Sequence, residues 1–186
     1  AATIGANITG SFVQNTDAAA TTIVDGEANV SGGLDIDTGT LTVSAALTGD
    51  VDVAAGASYD QNNGLTGTLT TAGGADIDGD ITGNLISSGT TTLAGNVSGT
   101  VAQSAGSVTV DGASTLTGAV TISGGSFTAS AQTTLGAGLS NDGTLDINAA
   151  VLGGQTLTNT KAATIGANIT GSFVQNTDAA ATTIVD

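Results

Sequence analysis

Aliphatic and small polar residues alternate along most of this chain, and glycine interrupts the alternation at near-regular intervals. The recurring motif is aliphatic–(Thr/Ser/Gly)–Gly–x–apolar. It reads ITGSF at 8–12, VSGGL at 30–34, LTGDV at 47–51, LTGTL at 65–69, ITGNL at 81–85, VSGTV at 97–101 and LTGAV at 116–120. A variant, LGAGL at 135–139, and a degenerate LGGQT at 152–156 precede a second ITGSF at 169–173. Within the motif Leu116, Gly118, Val120 and Ile122 fall on one face of an extended strand, and Thr117, Ala119 and Thr121 on the other. Val30, Gly32, Leu34 and Ile36, then Leu47, Gly49, Val51 and Val53, repeat that inward set. A second short strand follows a Gly-, Asn- or Asp-containing corner, as in GTLTV at 39–43, SVTVD at 107–111 and GTLDI at 143–147. The pattern predicts two short strands per unit, and no stretch holds helical periodicity over three turns.

Nine such units fill 161 residues, about 18 residues each, and 161 is also the offset of a perfect duplication. Residues 1–25, AATIGANITGSFVQNTDAAATTIVD, recur unchanged at 162–186. The division expected from this is one full tandem repeat over 1–161 and the start of the next over 162–186, both ends being cuts in a continuing array. Weaker echoes lie inside the block: FVQ at 12–14, YDQ at 59–61 and VAQ at 101–103.

Two strands per 18 residues, with so few aromatics, make no stable isolated hairpin. Stacked as successive coils they do. Each strand then pairs in parallel with its equivalent one coil away, at about 4.8 Å. Like residues stack on like, giving an aliphatic ladder, a glycine ladder where the interior is narrow, and an outward ladder of Thr9, Ser31, Thr48, Thr66, Thr82, Ser98 and Thr117. The expected fold is an all-β parallel β-solenoid of nine coils per 161 residues, advancing about 43 Å per block. The two 25-residue copies are expected to superpose by that translation with a modest rotation. Absence of proline fits, since every coil needs its N–H groups for its neighbours.

Composition narrows the chemistry. The 186 residues include no His, Cys, Met, Pro or Trp, and Lys161 is the single basic residue against 16 acidic ones, for a net charge of −15. There is no cysteine nucleophile, imidazole base, or thiolate or imidazole metal site. No electrostatic footprint for nucleic acid or anionic lipid exists either. No apolar run approaches a membrane span, and the absence of a charged, apolar leader suggests a mature or internal segment. A hydrophobic fraction of 39% and positive mean hydropathy argue against disorder. These features predict no enzyme, no nucleic-acid partner and no membrane insertion.

Runs such as GTLTVSAALTGDVDVAAGASY at 39–59 and GSVTVDGASTLTGAVTISGGSFTAS at 106–130 resemble passenger segments of bacterial autotransporters and filamentous-haemagglutinin-type adhesins. The resemblance is one of texture and covers the whole chain. It implies a right-handed parallel β-helix at the cell surface or outside the cell, forming a stalk or fibre. The perfectly duplicated block adds a likeness to giant tandem-repeat surface or filament proteins. On this reading the chain is a structural repeat segment whose principal partner is itself, stacked end to end and bundled sideways. The alternative is a calcium-dependent or ice-binding adhesin module.

Several residues carry candidate chemistry. Asp35 and Asp52 occupy the same outward place in consecutive coils, and the motif spacing pairs Asp60 with Asp78. Stacked carboxylates repel unless a cation lies between them, and Ca²⁺ takes six to eight oxygens, so Asp37, Asp50, Asp76 and Asp80 complete the candidate calcium ligands. A solvated acidic face accounts for the same residues. A glycosidase reading of these carboxylates requires aromatic sugar platforms, and Tyr59 alone does not supply one. Thr40-x-Thr42, Thr66-x-Thr68 and Thr90-x-Thr92 suggest an ice-binding rank, broken by Ser58/Asp60, Asp76/Asp78 and Thr144/Asp146. Asn7, Asn29, Asn96 and Asn168 head Asn-x-Ser/Thr sequons, each expected just before the first strand of a coil, as glycosylation sites or as corner residues. Lys161 is either a solvated corner residue or one half of an inter-strand ion pair.

Overall fold

β-Branched and aliphatic residues at alternate positions make segments of three to five residues extended, and glycine or Asx residues stop each before it lengthens. The computed structural model describes residues 2–5, 7–15, 17 and 19–175, with the backbone of Thr183–Val185. The chain winds as a parallel β-solenoid of roughly 10 turns, about 18 residues to the turn, with no helix among the described residues. No described segment is therefore a helix long and apolar enough to cross a membrane.

Each turn contributes to three sheets, not two. The first runs from Ala2–Ile4 through Thr21–Val24, Thr40–Val43, Ser58–Gln61 and onward to Ala163–Ile165 and Thr183–Val185, 11 strands among the described residues. The second is a column of very short strands, among them Ile8–Thr9, Ala28–Asn29, Leu47–Thr48, Leu65–Thr66 and Ile81–Thr82. It continues through a bridge at Val97 to Ser114–Leu116, Thr133–Leu135 and Val151–Leu152. The third has 10 strands, from Phe12–Asn15 to Ser172–Gln175. Among the described residues neighbouring strands in the three sheets pair in parallel, as in Leu65↔Leu47 and Leu69↔Val51.

The motif that reads as one strand is split by its own glycine, which accounts for the third sheet. Gly49, Gly67 and Gly83 have φ of 134°, 150° and 154°, a conformation that turns the chain between the second and third sheets. They also stack against one another. A Cβ at Gly67 would overlap the carbonyl of Gly49, one at Gly83 the carbonyl of Gly67, and one at Gly99 the carbonyl of Gly83. The glycine ladder is real, but it forms a corner where adjacent turns touch backbone to backbone rather than a narrow interior.

Register partners in the first sheet lie between 16 residues apart (Tyr59↔Ala75) and 20 apart (Ala2↔Thr22), because corners lengthen and shorten. Two expected pairings are corrected for this reason. Ala28, not Val30, pairs with Leu47, so Asn29 and not Ser31 continues the outward column between Thr9 and Thr48. The extra residues are taken up by a tight turn in which the Gly33 N–H donates to the Val30 carbonyl at 2.7 Å. Likewise Asp60 faces Asp76, not Asp78, because the four-residue corner at 54–57 shrinks to two residues at 72–73 in the next turn. The Gln echo divides in the same way. Gln14 and Gln103 occupy the third sheet, while Gln61 sits in the first.

The interior is a stack of aliphatic columns. Leu34, Val51, Leu69, Leu85, Val101, Val120, Leu139 and Leu157 follow one another up the third sheet, each at most 2% exposed. Burying a Leu or Val side chain in this way contributes about 1.5–3 kcal/mol, the main compensation for ordering so many corners. Buried polar side chains are mostly paired, Gln103 Oε1 and Asp146 Oδ1 being the exceptions among the described residues. The Tyr59 hydroxyl donates to Gln61 Oε1, and Gln61 Nε2 donates to the carbonyls of Ala45 at 3.1 Å and Asn63 at 2.9 Å. Burial holds the Tyr59 phenol neutral, well above the usual range for tyrosine.

The duplicated sequence takes equivalent seats. Ala2↔Thr22 at one end and Ala163↔Thr183 at the other are the same pairing, nine strand steps apart in the first sheet. Residues 176–182 and 186 of the second copy, and 1, 6, 16 and 18 of the first, lie outside the described residues.

Candidate functional site

The surface of the solenoid is built from outward columns, one or two per sheet. On the first sheet one column runs Thr42, Asp60, Asp76, Thr92, Thr109, Thr128, Asp146 and Thr164. Beside it runs Thr40, Ser58, Gly74, Thr90, Ser107, Ser126 and Thr144. Thr40-x-Thr42 and Thr90-x-Thr92 share this face, whereas Thr66 lies on the second sheet. The hydroxyl rank holds over three turns, from Thr90/Thr92 through Ser107/Thr109 to Ser126/Thr128, and is interrupted by Ser58/Asp60, Gly74/Asp76 and Thr144/Asp146.

The candidate calcium ligands fall into different environments. Asp35 and Asp52 are directly opposite in register on the third sheet, and both are exposed. Asp60 and Asp76 are directly opposite on the first, where Thr42 Oγ1 donates to Asp60 Oδ2 at 3.3 Å. Asp78 occupies the corner that follows Ile77. Asp50 and Asp80 cap corners. Asp50 Oδ1 accepts the Thr68 N–H at 2.8 Å, and Asp80 Oδ1 accepts both the Asn96 N–H at 2.8 Å and Asn96 Nδ2 at 2.9 Å. Asp37 accepts Asn15 Nδ2 at 3.2 Å. Among the described residues no three carboxylates converge into a group that could hold a metal ion.

Asp76 shows the consequence of this crowding. Partial desolvation, then the charges of Asp78, Asp60 and Asp111, raise its pKa above the usual carboxylate range. The folded state therefore holds this proton to a higher pH than the unfolded chain does, so ionised Asp76 disfavours folding. That unfavourable contribution is complete above the folded pKa and vanishes below the unfolded value of about 3.9. Stability is expected to rise as pH falls from 7 toward about 4 at low salt. Asp76→Asn should raise the melting temperature at pH 7 and flatten part of that dependence. Melting curves at a series of pH values check this, and a native-like slope in the variant counts against it.

The four sequon asparagines are all exposed. Asn7, Asn96 and Asn168 do precede residues of the second sheet, but Asn29 lies within the strand Ala28–Asn29, a correction that follows from the corner at 30–33. Asn96 bridges three turns. It donates to Asp80 while its Oδ1 accepts the Thr115 N–H at 2.7 Å. Asn84 links two turns, its Oδ1 accepting from the Thr100 N–H at 2.9 Å and from Thr100 Oγ1 at 3.1 Å. Tyr59 and Phe127 are buried, and Phe12 and Phe173 half-buried, so none is an exposed sugar platform. Lys161 Nζ lies 3.9 Å from Asp142 Oδ1 across successive turns, with both side chains about half-exposed. Such a pair contributes little.

One feature of the interior is absent from the sequence reading. Asn141, Asn159 and Gln175 stack in the third sheet at a position held in earlier turns by Gln14, Ile36, Val53, Thr71, Ser87, Gln103 and Ile122. Asn141 Nδ2 donates to Asn159 Oδ1 at 2.6 Å, and Asn159 Nδ2 donates to Gln175 Oε1 at 2.9 Å. The remaining donors reach backbone. Asn141 Nδ2 bonds the Gly143 carbonyl at 2.8 Å, Asn159 Nδ2 the Lys161 carbonyl at 2.7 Å, and Gln175 Nε2 that same carbonyl at 3.3 Å. Amides at inward positions of Leu-Ser-Asn and Thr-Leu-Thr-Asn are the signal that could have revealed this column. The geometry describes a three-sided parallel β-solenoid, and no protein-family model, curated protein or solved structure matches the chain.

Proposed function

We propose that the chain is a structural repeat segment of an extracellular fibre or adhesin stalk, in which 161-residue blocks stack coil upon coil into an unbranched rod. One observation carries the reading. Where the second copy of the duplicated sequence begins, all three sheets continue: Leu145↔Ala163 in the first, Val151↔Ile169 in the second and Leu157↔Phe173 in the third. A block boundary is thus an ordinary coil-to-coil contact with unbroken ladders, and repetition extends the rod without a new kind of interface. The acidic, cysteine-free surface with one lysine supports a role exposed to solvent on all sides. The texture shared with bacterial autotransporter and haemagglutinin-type passengers supports placing it at the cell surface.

Polypeptides of one, two and three tandem blocks are expected to form rods of constant width. Each block should add nine turns, about 43 Å at a strand spacing of about 4.8 Å. Small-angle scattering or electron microscopy measures the increment. A length that does not grow with block number, or a width that does, overturns the reading.

A further inference from the structure

Corners in this solenoid differ in length from turn to turn, by two residues between 54–57 and 72–73 and by one between 88–89 and 104–106. A two-residue slip preserves the inward–outward alternation, so neither turn length nor hydrophobic pattern decides which residue of one turn faces which residue of the next. Apolar columns tolerate such a slip, since Leu opposite Val packs about as well as Leu opposite Ile. A buried amide does not. Its donors and acceptor need matching partners at one place, and a slipped amide is left unpaired in the interior.

Three successive buried or half-buried amides occur at this column of the third sheet only where the block 1–161 meets the sequence that follows it. Asn159 is fully buried, and Gln175 stands where Gln14, 2% exposed, stands nine turns earlier. We propose that the amide column Asn141–Asn159–Gln175 keys the head-to-tail interface between blocks. The last third-sheet strand of the block, Thr156–Asn159, accepts in register a turn with an amide at this column. The partner that fits is another copy of the same block, seated through its FVQ sequence. A two-residue slip would set Asn159 against Phe173. Seating the Leu34–Thr38 turn there instead would set it against Ile36. Either leaves an Asn159 amide hydrogen facing hydrocarbon. The proposal rests on the stacked-block reading, but its test is read inside a single chain and is independent of rod length.

The chain has no native cysteine, so introduced pairs report unambiguously. Thr158 and Val174 face each other in register on the outer surface, while Ser172 faces Thr156. In the 186-residue chain Thr158→Cys with Val174→Cys is expected to cross-link under mild oxidation. Thr158→Cys with Ser172→Cys, which meet only after a slip, should not. Adding Asn159→Val should lower the ratio of in-register to slipped cross-linking about tenfold, the preference expected from one buried unpaired amide. Should that variant not fold, the triple replacement Asn141→Val, Asn159→Val and Gln175→Leu removes the whole column and strands no side-chain amide, leaving only the corner backbone of Gly143 and Lys161 to lose a partner. It is expected to keep or raise the melting temperature while losing the same register preference. Gln103→Leu, which removes a buried amide far from the junction, should leave the ratio unchanged. An unchanged ratio in the triple variant, or an equal loss with Gln103→Leu, overturns the proposal.

Discussion

Gly67→Ala is expected to destabilise the solenoid by about 3 kcal/mol or more, one of the largest effects available to a single methyl group in this chain. Two causes act together. Gly67 sits at φ 150°, where an L side chain is strained, and its Cβ would overlap the backbone carbonyl of Gly49 in the adjacent turn. Backbone cannot swing aside as a side chain does. Relief would require two turns to separate and the ladder on both flanks to lengthen. Gly56→Ala isolates the first cause, since Gly56 has φ 86° but open space around its Cβ position. It should cost only about 1–2 kcal/mol. Urea unfolding of both variants measures the difference. Equal losses would mean that contact between stacked glycines contributes nothing.

Phe127→Ala is expected to cost about 3–5 kcal/mol, through lost apolar burial and the cavity left behind. Phe127 is fully buried in the first sheet between Val108 and Leu145, and parallel ladders on both sides keep the backbone from collapsing into the space. Phe127→Leu, which refills most of the volume, should cost under about 1.5 kcal/mol. Val174→Ala, at 39% exposed, should stay within about 0.5 kcal/mol. Because each turn contacts only its neighbours, the loss should also appear locally, as faster amide exchange in the turns of Ser107–Val110 and Thr144–Ile147. Uniform exchange along the rod would show that unfolding is not propagated turn by turn.

Much of the candidate surface was legible from residue spacing alone. Asp35 opposite Asp52 was readable because the motif that precedes them closes its turn at matching places. Asp60 opposite Asp76 was not, because the intervening corner shortens by two residues, and a count made from the motif carries that error forward to Asp78. Asn29 in place of Ser31 is the same error with the opposite sign. The capping roles of Asp50, Asp80, Asn84 and Asn96 were also hidden. Each serves a backbone N–H one turn away, 16 to 19 residues along the chain, where no local pattern reaches.

By itself the sequence determined that this protein is a stack of parallel coils. Alternation of period two, a unit of about 18 residues and a 161-residue duplication are properties of the chain read along its length, and each unit repeats the same local preferences. Only the tertiary structure decided that the coil has three sides, that glycine marks a corner rather than a narrow interior, and which residues face one another from turn to turn. Those outcomes depend on contacts between turns. Whether a corner has room for a side chain is set by the carbonyl stacked against it, and a register by how many residues each corner absorbs and by which buried amides must meet.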